Sequence, residues 1–423
     1  MPAPPEHAVA ESHIIARVHA SVLDVDPQAW NALLAHQAHA TPFMRHEYLA
    51  ALETSGSATP RTGWTPRFLT LWDAGALVAA CPLYLKTHSY GEYVFDWAWA
   101  SAYEQHGVPY YPKALVSVPF TPVPGTRLLA RDATARAQLV QAARQWCMEE
   151  DISSLHLLFA ADEDIATCAD QGLMLRHTVQ FHWQNTAPVA PVVSSEATSE
   201  CLAMPNRFTS FDDFLASLAQ EKRKKIKQER RRVADAGVTF RCLQGKDIST
   251  GDWDFFYRCY ERTYLEHGNP PYLSRAFFAD MARTMPEAWV LFIAERDGQP
   301  IASSLIAISA CPASATGQKD TEIIAYGRYW GALERVDCLH FEACYYQPLQ
   351  WCIEHGVHRF EGGAQGEHKM ARALLPVQTS SAHWLAHPAF ADAVERFLER
   401  EGEGVDAYLQ SLHERTPFRK TQN

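Results

Sequence analysis

Residues 350–363 read QWCIEHGVHRFEGG, and residues 145–159 read QWCMEEDISSLHLLF. Each begins Gln-Trp-Cys, continues with an apolar residue and Glu, passes a short polar turn and enters a run with strand character. The same helix ending and following strand are thus written twice, 205 residues apart. A second echo lies upstream of each. FLTLWDAGALVAACPLYLK, from Phe68, and VLFIAERDGQPIASSLIAIS, from Val290, alternate apolar residues around a turn, at Asp73-Ala74-Gly75 and at Asp297-Gly298. Aligning Gly75 on Gly298 brings Val78-Ala79 onto Ile301-Ala302. Two echoes in one order predict two related lobes.

Each lobe then continues with a helix, about 133–150 and about 338–355, and a strand, 155–159 and 357–360. Asp337 is the expected N-cap of the second helix and Gly356 its stop. Between the repeats, TAPVAPVVSSEATSECLAMPN (186–206) has neither helical nor strand period and marks the boundary. The expected organisation is an N-terminal lobe at 12–185, a linker or surface loop at 186–206, and a C-terminal lobe at 207–423 carrying a basic helix at 211–236.

A chain of 423 residues with 47% hydrophobic residues can fill two cores. Its net charge of −11 argues against a general nucleic-acid coat. The 10 cysteines include no CxxC and read as reduced thiols. The first twenty residues lack a basic stretch followed by an apolar one, and no apolar run reaches membrane-spanning length, so a cytoplasmic protein is expected.

Five further strings carry a closer resemblance: HSYGEYVFDWAW from His88, YYPK from Tyr110, PFTPVPG from Pro119, LHFEACYYQ from Leu339 and FEGGAQGEHKMAR from Phe360. They resemble the signature blocks of a bacterial GNAT-like family associated with peptidoglycan biosynthesis or recognition, and the similarity spans roughly residues 12–415. The resemblance implies a mixed α/β fold of tandem GNAT-like (acyl-CoA N-acyltransferase) lobes, related to the Fem-type peptidyltransferases. In such lobes a strand-end acid followed by a glycine-rich turn and a lysine recurs. Glu361 and Lys369 match that pattern, with Glu where Asp is more usual.

Three glycines directly after a strand in FEGGAQGEHKMAR form a loop that no hydrophobic period demands. Glu361, Gln365, Glu367, His368, Lys369 and Arg372 would line the open strand end, where α/β sheets keep their ligands. An ordinary strand-to-helix connection is the plainer alternative. In LHFEACYYQ, Glu342, Tyr345 and Tyr346 are spaced for one helical face. A carboxylate against aromatic surface suits a base that deprotonates an ammonium nucleophile, and a tyrosine suits a donor to the leaving group. In the first lobe Glu92 and Asp96 are four apart and converge whether on helix or strand; Lys86, Lys113 or Arg127 would partner them. A purely structural ion-pair network explains them as well.

Eight of the eleven residues from Lys222 to Arg232 are basic: Lys222, Arg223, Lys224, Lys225, Lys227, Arg230, Arg231 and Arg232. Such a helix is expected to project into solvent, either simply as a solvated helix or to bind the phosphates of an acyl carrier, transfer RNA or an anionic leaflet. His355, His358 and His368 lack the spacing of a zinc helix, so no metal is expected. GRYWGA (327–332) has its second glycine one position too early for a CoA-pyrophosphate loop.

These readings add up to an N-acyltransferase that moves an acyl or aminoacyl group from acyl-CoA or aminoacyl-tRNA to an amine, without a permanently bound cofactor. The expected roles are Glu342 as base, Tyr345 or Tyr346 as proton donor, Lys369 and Arg328 as anion anchors, and Glu361 orienting the amine. Lys369→Met is expected to abolish transfer without unfolding. The alternative is a binding protein of the same fold that recognises a wall precursor and transfers nothing.

Overall fold

The computed structural model describes residues 14–186, 207–311, 322–364 and 366–419. The linker expected at 186–206 lies outside them except for Thr186, as does Gln365. Among the described residues the first half supplies β1 (Ile15–His19), β2 (Trp64–Pro66), β3 (Phe68–Asp73), β4 (Ala76–Cys81), β5 (Leu83–Lys86), β6 (Lys113–Val116), β7 (Leu129–Ala130), β8 (Ser154–Ala160) and β9 (Met174–Gln184). The second half supplies β10 (Val238–Gln244), β11 (Trp289–Arg296), β12 (Gln299–Cys311), β13 (Glu322–Ala332), β14 (Arg359–Glu361) and β15 (Leu375–Leu385).

The hairpin echo is realised residue for residue. β3–β4 and β11–β12 both turn on two residues with positive φ, Ala74 (48°) and Gly75 (85°), then Asp297 (52°) and Gly298 (71°). That backbone matches the twist of the strands it joins. Both hairpins also break register at the same distance before the turn, at Leu71/Trp72 and at Ala294/Glu295. The helix echo follows suit: Ala133–Glu149 leads into β8, parallel to β6, and the helix starting at Leu339 leads into β14, parallel to β13. A parallel neighbour needs such a crossover.

The two halves share one sheet. Eleven strands run in the order β10-β11-β12-β13-β14-β9-β15-β8-β6-β5-β2, beside a four-stranded sheet β1-β3-β4-β7. The last strand of each half sits in the other: β9 pairs with β14, and β15 pairs with β8 and β9. Aromatic contacts carry the join onto the sheet face, with Phe43 5.3 Å from Tyr326 and Tyr48 5.2 Å from Phe277.

Two helices depart from expectation. The basic helix at 211–236 is two helices, Phe211–Ser217 and Gln220–Asp235. They part because Leu218 is fully buried and bridges Phe418, while the Ala219 N–H donates to the Pro417 carbonyl at 2.9 Å. The helix after β13 opens at Leu339–Phe341, widens into a π-turn at Glu342–Tyr346 and continues as Gln347–Glu354. Pro348 has no N–H for the carbonyl four residues back, and the Gln347 N–H reaches the Glu342 carbonyl instead. Cys338, not Asp337, is its N-cap; Asp337 pairs with Arg232 at 2.9 Å. Gly356, at φ 63°, follows its C-terminal end.

Candidate functional site

Parallel pairs open into forks. β13 and β14 pair from Ile324↔Arg359 to Tyr326↔Glu361 and then part. Glu361 therefore stands in the crotch of the fork, buried, with Arg359 donating to its Oε1 at 3.0 Å and Oε2 without a hydrogen-bond partner among the described residues. Burial pushes its carboxyl up to about 7, against the pull of Arg359. Together with His39, Thr41, His182, Tyr326 and Ser380 it lines a cavity of about 220 Å³.

The glycines past Glu361 are demanded by packing. A Cβ on Gly362 would stand 2.9 Å from the Phe181 carbonyl oxygen and 2.3 Å from Leu374, and Gly363 has φ 74°. The loop is laced to β9: the Gly362 N–H donates to the Phe181 carbonyl and the Phe181 N–H to that of Gly363. Lys369, expected to anchor an anion, closes this loop from behind. Its buried Nζ donates to the carbonyls of Gly362 (2.7 Å), Gly363 (3.3 Å) and Ala364 (2.8 Å). An ammonium has three N–H bonds, so none is left for a ligand. Burial lowers its pKa to about 8.

The first half solves the same problem the same way. Beyond Val116↔Leu157, β6 and β8 part. Buried Arg127 donates there to the carbonyls of Leu158 (3.1 Å), Gly125 (3.2 Å) and Val123. Each fork thus has a buried cation donating to carbonyls beside it.

Arg328 lies two residues past the second fork, at a bulge where Tyr329 opposes Leu305 and Gly327 opposes Ile306. A bulge re-aims the extra side chain. GRYWGA, for which no pyrophosphate loop was expected, is accordingly strand. The half-buried Arg328 guanidinium donates from Nη2 to the Phe120 carbonyl (3.2 Å) and the Tyr329 hydroxyl (3.1 Å), and stands 5.1 Å from the Phe43 ring.

Glu342, Tyr345, Tyr346, His368 and Arg372 gather around the π-turn, away from Glu361's cavity. Glu342 Oε1 accepts from Arg230 (3.1 Å) and Gln347 (2.7 Å). The Tyr346 hydroxyl donates to Glu229, while Arg372 donates to Tyr346 (3.0 Å) and Glu229 (2.8 Å). Tyr345 meets His368 at 3.3 Å; Glu367 lies outside this group, paired with Arg415 at 2.9 Å. Glu342 and Tyr346 thus help pin the basic helix to the helix beneath it, while Glu342 Oε2 is buried with no hydrogen-bond partner among the described residues. That helix does not simply project: Ile226, Glu229 and Val233 are buried, and Lys222, Lys227, Arg230, Arg231 and Arg232 have acid partners. Arg223, Lys224 and Lys225 have none among the described residues.

Glu92 and Asp96 converge on buried Lys113, at 2.7 Å for Glu92 and in a shorter contact for Asp96, far along the sheet from the fork. Lys113 holds the Asp96 carboxyl well below its usual range, whereas burial lifts Glu92 to about 7. The three histidines considered for a metal lie apart: His355 stacks on Trp351 (4.2 Å), His358 Nδ1 accepts from the Ile323 N–H (3.1 Å), and His368 is at Tyr345.

A family model matches the chain over residues 21–190 and 193–420; the family is FemAB-like, described as peptidoglycan biosynthesis/recognition. The chain belongs to the FemAB-like family. Among solved structures, FemX shares 10% identity, covering 88% of this chain and 98% of its own, with a TM-score of 0.50. L-PGS from Bacillus licheniformis (10% identity, 89% and 97% covered, TM-score 0.48) and a tandem GNAT protein from the clavulanic acid biosynthesis pathway (14%, 89% and 99%, 0.43) are also similar. At such identities the likeness is one of fold alone. No curated protein matches the chain.

In this FemAB-like chain the sequence did not single out Arg359, Glu229 or the tyrosines near Arg328 as site residues. Arg359 was within reach of sequence reasoning, since it is two residues from Glu361 and so shares its strand face. Glu229 hides inside a basic run, and only tertiary structure shows it facing Arg372.

Proposed function

We propose that this protein is an N-acyltransferase whose chemistry takes place at the β13–β14 fork. The observation that carries the reading is Glu361: a carboxyl set in the crotch of a parallel fork, lifted to about 7, with one oxygen unpartnered beside a cavity. Acyl transfer to an amine needs a group that accepts a proton near neutrality at the point of attack. The amine nitrogen attacks the carbonyl carbon of an ester or thioester, Glu361 takes the ammonium proton, the C–N bond forms, and the C–O or C–S bond breaks with its electron pair leaving on the carrier. The reading takes Glu361 as base in place of Glu342 because Glu361 lines the cavity, whereas Glu342, equally free at Oε2, lies away from it.

The carrier is an acyl-CoA or an aminoacyl-tRNA, docked against Arg223, Lys224 and Lys225. The acceptor is an amine of a peptidoglycan-related precursor, in keeping with the family's description. The experiment is product analysis: purified protein with acetyl-CoA, longer acyl-CoAs or aminoacyl-tRNA and muropeptide amines, followed by mass spectrometry. A new amide supports the reading. Stabilisation by a muropeptide with no amide from any donor would make the protein a binder.

A further inference from the structure

Glu361 does not face the cavity alone. In the antiparallel pairing of β14 with β9 its Cα partner is His182, so the two side chains stand directly opposite each other on one face of the sheet, and both line the cavity. His182 is 5% exposed, and its ring makes one hydrogen bond among the described residues, between Nε2 and Gln180 Oε1 at 3.3 Å. The next bond along fixes the direction of that one. Gln180 Nε2 donates to the Pro122 carbonyl at 2.8 Å. A carbonyl can only accept, so the amide turns its NH2 to Pro122 and its oxygen to His182, and that oxygen can only accept in turn. His182 Nε2 therefore carries the ring hydrogen, and Nδ1 is a bare acceptor with no partner among the described residues. Burial, with Arg359 and Lys369 adding to it, lowers the ring's pKa to about 3, so near pH 7 it accepts a hydrogen bond without taking the proton. His39, the other histidine at the cavity, is held 3.7 Å from Glu163 instead.

We infer that His182 Nδ1 is the second acceptor of the amine site: it takes one N–H of the attacking nitrogen while Glu361 takes the other, and the pair selects a primary amine. The inference deepens the transfer proposed above and rests on it for the identity of the nucleophile. A neutral primary amine has two N–H bonds and one lone pair. With the N–H bonds directed at Glu361 and His182, the lone pair is turned away from both and toward the incoming carbonyl carbon. As the C–N bond forms from that lone pair, the proton on the Glu361 side passes to the carboxylate. The hydrogen on the His182 side stays on nitrogen and becomes the N–H of the product amide. Protonation divides the work: Glu361, lifted to about 7, exchanges a proton near neutrality, and His182 does not. A secondary amine has one N–H and leaves one of the two buried acceptors without a partner.

The test has a kinetic and a spectroscopic arm. With a muropeptide carrying a primary amine as acceptor, His182→Gln, which keeps a donor for Gln180 and lacks the Nδ1 acceptor, should lose about tenfold or more in kcat/KM. His182→Asn, whose side-chain oxygen reaches the Nδ1 position, should recover most of that loss. Wild-type protein should prefer the primary amine to its N-methyl derivative by about tenfold, and His182→Gln should shrink that preference to within about threefold. The second arm is nitrogen NMR of wild-type protein with isotopically labelled histidines and no donor, the His182 signal being assigned by its loss in the two variants. His182 should appear as the Nε2–H tautomer at pH 7, and the muropeptide amine should move its Nδ1 resonance upfield in a saturable way. If amide forms and His182→Gln matches wild type in rate and in amine preference, the inference falls and the transfer stands. If no donor gives amide, the transfer falls and the resonance decides: a saturable Nδ1 shift keeps the amine site, and no shift, or an Nδ1–H tautomer, overturns it.

Discussion

Lys369 shows how far a residue's chemistry depends on what it is already bonded to. In the sequence it is a cation in a glycine-rich loop; in the fold its three N–H bonds end on three carbonyls of that loop. Removing it takes a donor from the half-buried Gly362 carbonyl, while Gly363 keeps the Phe181 N–H and Ala364 is exposed to water; a lost hydrogen bond of this kind costs about 0.5–1.5 kcal/mol. Lys369→Met is therefore expected to lower the unfolding free energy by about 1 kcal/mol, measured by urea denaturation. An equally stable variant would return Lys369 to the role of a free anchor. Arg127 supplies the internal comparison: it answers to the carbonyls of the other fork, and Arg127→Met should destabilise in the same way.

At the scale of elements, the repeats were legible because they rest on local rules. The type of turn at Asp297-Gly298, the alternation of β11 and β12 and the stop at Gly356 depend on neighbours in the chain. The break at Leu218 was not legible, because its cause is Phe418, two hundred residues away. The π-turn had a visible cause in Pro348, but its effect on which side chains share a face was not drawn out. The candidate site divided along the same line: the place of Glu361 at a strand end before glycines was legible, whereas the pairing of Glu342 with Arg230 joins distant segments. The basic helix carries its own prediction. Replacing Arg223, Lys224 and Lys225 with glutamine, none of which has an acid partner among the described residues, should change stability by less than about 0.5 kcal/mol. If a polyanionic carrier docks there, the same variant should flatten the dependence of log KM on log salt. A steep dependence that survives in the variant would move the carrier elsewhere.

The whole molecule is joined by exchange of β9 and β15, and this has a consequence for cooperativity. Neither half can complete its sheet without the other, so the chain should unfold in one transition, with tryptophan fluorescence and far-ultraviolet circular dichroism superimposing. Two separated transitions would mean lobes that stand alone. The buried titratable groups give the pH profile. Glu92 and Glu361 at about 7 and Asp164 at about 6 hold protons that the unfolded chain releases, so they favour the folded state as pH falls from 7 to 4.5. His156 and His182 at about 3 and His340 at about 4, with His383 also depressed, refuse protons that the unfolded chain takes up below 6.5. Their contribution is lost as pH falls from 6.5. The two sets oppose each other between 6.5 and 4.5, and below 4.5 the depressed Asp96 carboxyl, which refuses a proton the unfolded chain takes up, adds to the loss. The urea midpoint should thus change little from pH 7 to 5 and drop steeply below 4.5; a steady decline from pH 7 would contradict that balance.

The account turns on a carboxyl in the fork that accepts a proton near neutral pH. The most direct test is the pH dependence of kcat/KM for amide formation, in wild-type protein and in Glu361→Gln. The wild-type rate should rise with pH to a plateau above about 7, and the isosteric variant should be slower by at least about a hundredfold with that inflection gone. A variant that works within a few-fold of wild type, with the same inflection, would contradict the assignment of the chemistry to this fork.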